Sequence, residues 1–384
     1  MHPSTPDPVP LFALGRAELA AFVAGIGEPR YRAAQVWRWL YRGFADGFAA
    51  MTDLPGDLRD RLEASARLHT LAEAARTDNP DGLATKLLFR LRDGQLIETV
   101  LMHYTDPADD PAAAAPIPRG RHTVCLSTQA GCAMGCVFCA TGQMGLVRNL
   151  DQGECVEQLV WCARLLASAD EHLTNVVFMG MGEPLANWEA TWGTVRTLVD
   201  PDGFGLSPRR ITISTVGIVP GIDRLARTGL PVRLAVSLHA PDDALRGALV
   251  AVNATYGIEA ILAACRRYQA AGGRRITFEY VLIDGVNDHP AQAARLAHRL
   301  RGIGAHVNLI PLNPTAGSDL RPSPYARAVA FEAELRRAGL GTTLRMRRGI
   351  EIQAGCGQLR SRMVDGRIGR TIPPSVPTLN PEAS

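Results

Sequence analysis

Lysine is almost missing from this chain. Lys86 is the only one, so forty of the 41 basic residues are arginine. Arginine forks phosphate and carboxylate through paired N–H groups and stacks on bases, yet a GC-rich genome brings the same bias to any protein, so the bias alone assigns no partner. Net charge is scarce too: +3 over 384 residues does not announce a nucleic-acid binder, and a basic surface would have to come from local clustering. Long apolar runs are also lacking. None approaches the roughly 20 residues that cross a bilayer, and the first eight residues hold no charged segment leading into an apolar one. The cytoplasm is therefore the expected compartment, with no membrane partner.

No dispersed disulfide framework is present either. Eight cysteines stand at positions 125, 132, 136, 139, 155, 162, 265 and 356, the first four within fifteen residues, a crowding that in a cytosolic chain points to metal binding or catalysis. Cys155, Cys162 and Cys265 fall at apolar positions of helix-like segments and read as buried structural thiols without a role.

A composition 46% hydrophobic supports one large domain with a small accessory one. Residues 1–10 are expected to be disordered. Residues 11–70 read as helices over Gly15–Ile26, Tyr31–Phe44 and Leu58–Leu68, divided by Gly and Pro. The second carries Arg32, Arg38 and Arg42 beside Trp37, Trp39 and Tyr41, which suits either an RNA-facing surface or a packed core with a solvated arginine face. Within a linker at 71–105, two β-like runs joined at Asp93-Gly94 predict a hairpin. Residues 106–121 form an insertion with no periodicity, expected to be mobile.

From residue 122 to 365, six strand candidates alternate with amphipathic helices: 123–128, 175–181, 210–215, 232–239, 276–283 and 306–312. That alternation predicts parallel βαβ units, an α/β fold with a partial six-stranded TIM-like barrel whose functional groups gather at the C-terminal strand ends. The Pro-containing stretch 366–384 reads as a disordered tail.

The chemistry starts directly after the first barrel strand. Cys132, Cys136 and Cys139 follow a C-x-x-x-C-x-x-C spacing in a glycine-punctuated loop, enough to hold three irons of a 4Fe-4S cube and leave one open for a substrate. Three cysteines with a distant histidine, His239 first among them, would also make a zinc site; zinc sites normally come as paired knuckles, and no second pair is present. A second motif, Gly180-Met181-Gly182-Glu183-Pro184, ends the next strand. Its glycines permit close backbone approach to a ligand, and Glu183 is placed to accept from an amino group.

The cysteine spacing, with Phe138 before the last cysteine, resembles the radical S-adenosylmethionine (SAM) signature. The resemblance sharpens over residues 123–145, 148–150, 180–184, 211–217, 234–241, 308–314 and 349–359, which are similar to the RlmN family of bacterial 23S rRNA adenine-C2 methyltransferases. Departures are the insertion at 106–119 and the stretch 251–256, where the family usually has a proline and a lysine. The resemblance implies a partial radical SAM barrel, with Cys132, Cys136 and Cys139 on the cluster and Gly182, Glu183, Ser214, Ser237, Leu238, His239 and Asn313 lining the SAM site. It implies that Cys356 carries the methyl group, that Cys125 resolves the RNA adduct as a transient disulfide forms, and that Glu98 accepts a proton. Implied partners are 23S rRNA, free or in an assembly intermediate, with tRNA as a second substrate left open, a flavodoxin-type electron donor and a thiol reductant. The chain itself is expected to act as a monomer. Two other readings stay open: the sister activity that methylates C8 of the same base, and a metal-containing RNA-binding protein without turnover.

Overall fold

The computed structural model describes residues 7–104, 120–315 and 317–345. The chain divides into two compact units, one made of Met1–Thr128, Asn149–Val176 and Asn187–Ile211, the other of Gln129–Arg148, Val177–Ala186 and Thr212–Ser384. The expected insertion at 106–119, the tail and Cys356 lie outside the described residues.

In the first unit, the expected helices form over Arg16–Gly25, Tyr31–Tyr41 and Gly56–Ser65. Glu18 starts the first by accepting from the Gly15 amide at 2.7 Å, an acidic group answering the exposed N–H groups of a helix start. In the second helix Ala33, Val36, Trp37, Leu40 and Tyr41 are buried, the spacing of a single apolar face. They pack with Leu11, Leu58, Leu62 and with Val156 and Val160 of the helix Gln152–Ala167 into one core. Burial removes Trp37 and Tyr41 from any RNA-stacking role. Disorder through residue 10 is also corrected at its end: Val9–Pro10 pairs with Ala66–Arg67, and Asp7 bonds Arg67 at 2.6 Å.

The hairpin turns where Asp93-Gly94 placed it, with Gly94 at φ 83 and Ala84–Arg90 antiparallel to Leu96–Tyr104. A third strand, Ala72–Asp78, pairs on one side and Arg121–Cys125 on the other, so the linker is more than a hairpin. Ala72–Asp78 escapes a hydrophobicity reading because it buries no side chain fully.

The second unit carries parallel strands paired each to the next: Ile211–Thr215, Arg233–Ser237, Ile276–Leu282, Ala305–Pro311 and Gly341–Leu344. Helices Val219–Ala226, Ile258–Ala270, Pro290–Arg299 and Tyr325–Arg337 make the crossovers. With Arg121–Cys125 and Asn175–Phe178, all six expected strands are present. Gly341–Leu344 is additional, four residues too short and too polar to signal itself. Cys155, Cys162 and Cys265 are fully buried, as expected of packing thiols. Among the described residues no helix is long and apolar enough to cross a membrane.

One interaction in the first unit is chemically exposed to test. Lys86, 0% accessible, meets Glu98, 2% accessible, at 2.8 Å. The register sets Leu88 opposite Glu98, so the two charges are diagonal neighbours on one sheet face. Removing one partner of a buried pair leaves an uncompensated charge. Lys86→Met should destabilise the protein by about 3–5 kcal/mol in urea unfolding, and adding Glu98→Leu should recover most of the loss. A single variant as stable as the native chain would show that the pair carries no such weight.

Candidate active site

The cysteine loop is shaped by backbone contacts before any cofactor enters. The short strand Gln129–Gly131 leads in, and Cys132 donates its amide to Gly145 O at 2.8 Å. Gly131 sits at φ 84, and a Cβ there would lie 2.0 Å from that same carbonyl oxygen, so only glycine fits. At Gly142 a Cβ would lie 3.0 Å from the Cys136 N and O, a tighter contact than side chains normally make. Cys139 then begins the turn of helix Ala140–Gln143, its amide donating to Cys136 O at 3.1 Å. The loop arrives pre-bent.

Cys132 and Cys136 are buried and Cys139 half-buried. Burial pushes the Cys132 thiol up to about 12, with Cys139 and Glu183 adding to the rise, and drives Cys136 higher still. These thiols ionise when a metal centre takes the charge. Sulfurs sharing one tetrahedral zinc would lie about 3.8 Å apart, from Zn–S bonds of about 2.3 Å. Among the described residues, the only His, Cys, Asp or Glu group with its ligand atoms within 4.8 Å of one another is His103, His122 and Glu171. Cys132, Cys136 and Cys139 do not form such a group, so at least one pair of their sulfurs lies more than 4.8 Å apart.

Polar groups stand at the strand ends of the second unit, and one of them, His239, packs against the cysteine loop. Gly182 has φ 105, and a Cβ on it would strike Gln129 at 2.6 Å, so its glycine is demanded by Gln129. Gln129 Oε1 accepts the Glu183 amide at 2.8 Å. The Glu183 carboxylate accepts from Leu185 N at 3.0 Å and Val216 N at 2.8 Å, tying two loops together. Its burial raises its pKa to about 7 against those bonds. His239 holds φ 61, unusual for a non-glycine residue, and accepts from Val281 N at 3.1 Å on Nδ1. Burial lowers its pKa to about 3, so the ring is neutral, and Phe138 of the cysteine loop packs edge-on against it with centroids 4.8 Å apart. Ser214 and Ser237 lie on the ends of neighbouring strands, and Leu238 donates its amide to Glu279 O at 3.0 Å. Asn313 follows the strand Ala305–Pro311 and is half-buried.

Two groups here gave no signal in the sequence. Arg246 is wholly buried, and Glu279, 5% accessible, accepts from Asn308 at 2.7 Å. Charged residues in apolar surroundings usually read as solvated, so nothing marked these as interior.

Cys125 and Glu98 belong to the first unit. Cys125 ends its strand opposite Val100, two residues from Glu98, so both side chains share a sheet face. Ser127, just beyond, donates to Glu98 O at 2.5 Å, and Gln158 accepts the Ser127 amide at 2.9 Å. The strand end is thereby fixed.

Comparison with known proteins follows the same outline. Family models match the Radical SAM superfamily over residues 126–297 and the ribosomal RNA large subunit methyltransferase N-terminal domain over residues 9–68. The fold and the cysteine loop thus define a radical SAM protein of mixed α/β architecture. A solved structure titled as a radical SAM methyltransferase from Sphaerobacter thermophilus is 51% identical, with a TM-score of 0.85 and coverage of 91% of this chain and 99% of that one. The dual-specificity RNA methyltransferase RlmN 1 of Myxococcus xanthus is 47% identical over 95% of this chain and 98% of its own, and a probable dual-specificity RlmN of Roseiflexus is 45% identical over 91% and 95%. The chain belongs to the RlmN family.

Glu183 supplies a pH test. A carboxyl raised from 4.5 to about 7 on folding binds its proton more tightly in the native state, so its contribution is present below pH 4.5 and fades as pH climbs through about 7. Glu183→Gln keeps a neutral group at all pH. The stability of the Gln variant relative to native protein should therefore rise between pH 5 and 8, by about 3 kcal/mol from 1.36 kcal/mol per unit. A difference that stays flat across that range would contradict the account.

Proposed function

We propose that this chain methylates C2 of an adenine in 23S rRNA, drawing on SAM and a 4Fe-4S cluster held by Cys132, Cys136 and Cys139. The loop that bears Cys132, Cys136 and Cys139, bent at Gly131 where a Cβ would meet the Gly145 carbonyl, is the observation that carries the reading. Family membership supports the rest.

Adenine C2 is an electron-poor carbon with no nucleophilic lone pair, so it cannot attack a methyl group directly. The bound cluster supplies the electron that cleaves SAM and makes radical chemistry available. The chain's own residues do the remainder. Gly182, Glu183, Ser214, Ser237, Leu238, His239 and Asn313 bind SAM, with the Glu183 carboxylate accepting from its amino group. Cys356 takes a methyl from one SAM by displacement, which requires the thiolate of a group with an unperturbed pKa of about 8.5. Loss of one hydrogen atom from that methyl, to the radical that SAM cleavage supplies, lets its carbon bond to C2; one electron leaves the adduct and Glu98 or Cys125 takes the C2 proton. The Cys125 thiolate then attacks the Cys356 sulfur and breaks its bond to the methylene, which takes up a proton to become the methyl of the released RNA, leaving a disulfide. A thiol reductant resets the pair, and a flavodoxin-type donor provides the electron.

The base has to leave its stack to reach such a site, so free rRNA or an assembly intermediate fits better than a finished ribosome. The relatives' dual-specificity names favour a second RNA substrate, for which the resemblance offers a tRNA adenine beside the anticodon.

Nucleoside mass spectrometry of rRNA and tRNA from a deletion strain should show loss of 2-methyladenosine, restored by the native gene. Cys125→Ala should trap a covalent protein–RNA adduct, whereas Cys356→Ala should give neither adduct nor product. Appearance of 8-methyladenosine would transfer the chain to C8 chemistry, and normal methylation by both variants would end the two-cysteine scheme.

A further inference from the structure

Arg246 is fully buried, yet among the described residues no carboxylate bonds it. Its five N–H contacts all go to neutral oxygens: Nε to Leu238 O at 3.1 Å, Nη1 to Asn253 Oδ1 at 2.8 Å and Tyr256 O at 3.2 Å, Nη2 to Ser237 O at 3.3 Å and to Val216 O. Asp243 exerts an attraction, but its carboxylate accepts from Ile258 N at 2.8 Å. Burying a guanidinium is expensive, and without an anion the cost goes largely unrecovered. Hydrogen bonds alone would have been served by an uncharged side chain.

The position of this charge explains its retention. Leu245 and Leu249, on either side of Arg246 in the helix Asp243–Leu249, pack against Cys136 in one apolar cluster, and Val137 donates its amide to Leu249 O at 3.1 Å. The helix that carries Arg246 therefore lies directly against the loop that bears Cys136. A cube held by three thiolates carries one net negative charge when oxidised and two when reduced, and net charge is among the levers that set such a potential.

We propose that Arg246 is the buried counter-cation of the cluster bound by Cys132, Cys136 and Cys139, favouring its reduced state. The proposal rests on the cluster assignment of the preceding subsection. Arg246 touches no reacting atom in this role; it is a positioning residue, and its carbonyl bonds aim the charge while holding the ends of the strands that bear Ser214 and Ser237.

Charge and hydrogen bonding separate in two variants. Arg246→Lys keeps the charge and loses most of the bonds, whereas Arg246→Gln keeps some bonds and loses the charge. Each full-length protein is loaded without oxygen, assayed for iron and sulfide, checked for folding by circular dichroism, and titrated potentiometrically with the reduced signal followed by electron paramagnetic resonance. The Lys variant should titrate near the native midpoint. The Gln variant should shift the reduction equilibrium at least tenfold toward the oxidised state, 59 mV lower for one electron. Should the Gln variant fold but fail to keep its cluster while the Lys variant keeps it, the charge is again what matters. A Gln variant at the native midpoint, a Lys variant displaced as far as Gln, or loss of the cluster from both folded variants would overturn the proposal. If the native chain itself holds no iron and sulfide, the cluster assignment fails instead.

Discussion

Three cysteine sulfurs on one bent loop set the terms for the second unit. Gly131 lets the chain turn where a Cβ would lie 2.0 Å from the Gly145 carbonyl oxygen. A cube with three protein ligands for four irons keeps a coordination site open. Everything proposed for the protein's chemistry follows from that vacancy in the ligand count.

Around the loop, buried polar groups do two jobs at once. Glu183 fastens the turns after two strands through the amides of Leu185 and Val216 while keeping its carboxylate where a cationic amine can be received. Arg246 gathers the carbonyls of Val216, Ser237 and Leu238 from a helix that packs against the Cys136 loop. His239, strained and neutral, buttresses Phe138. Each is costly in an empty site and economical in an occupied one, a pattern expected where stability is traded for a prepared binding surface.

Much of this was legible beforehand because the signals are local. The six strands alternate with helices, Asp93-Gly94 marks its turn, and the cysteine spacing is specific. What stayed hidden depends on partners distant in sequence. Trp37 and Tyr41 sit beside arginines and suggested an exposed face, but Leu11, Leu58 and Val156 close over them. Arg246 carries the most solvated kind of side chain into an interior, and no window of neighbouring residues announces it. The demand for glycine at 182 comes from Gln129, too far away in sequence for any local pattern to show it. For Glu98, only the strand register discloses the lone lysine beside it.

The most direct check is Mössbauer spectroscopy of protein reconstituted with iron-57 under anaerobic conditions, recorded before and after adding SAM. The account predicts four irons per chain with sulfide, one of which changes its signal when SAM binds while three remain as they were. Four irons indifferent to SAM, or zinc in their place, would contradict it.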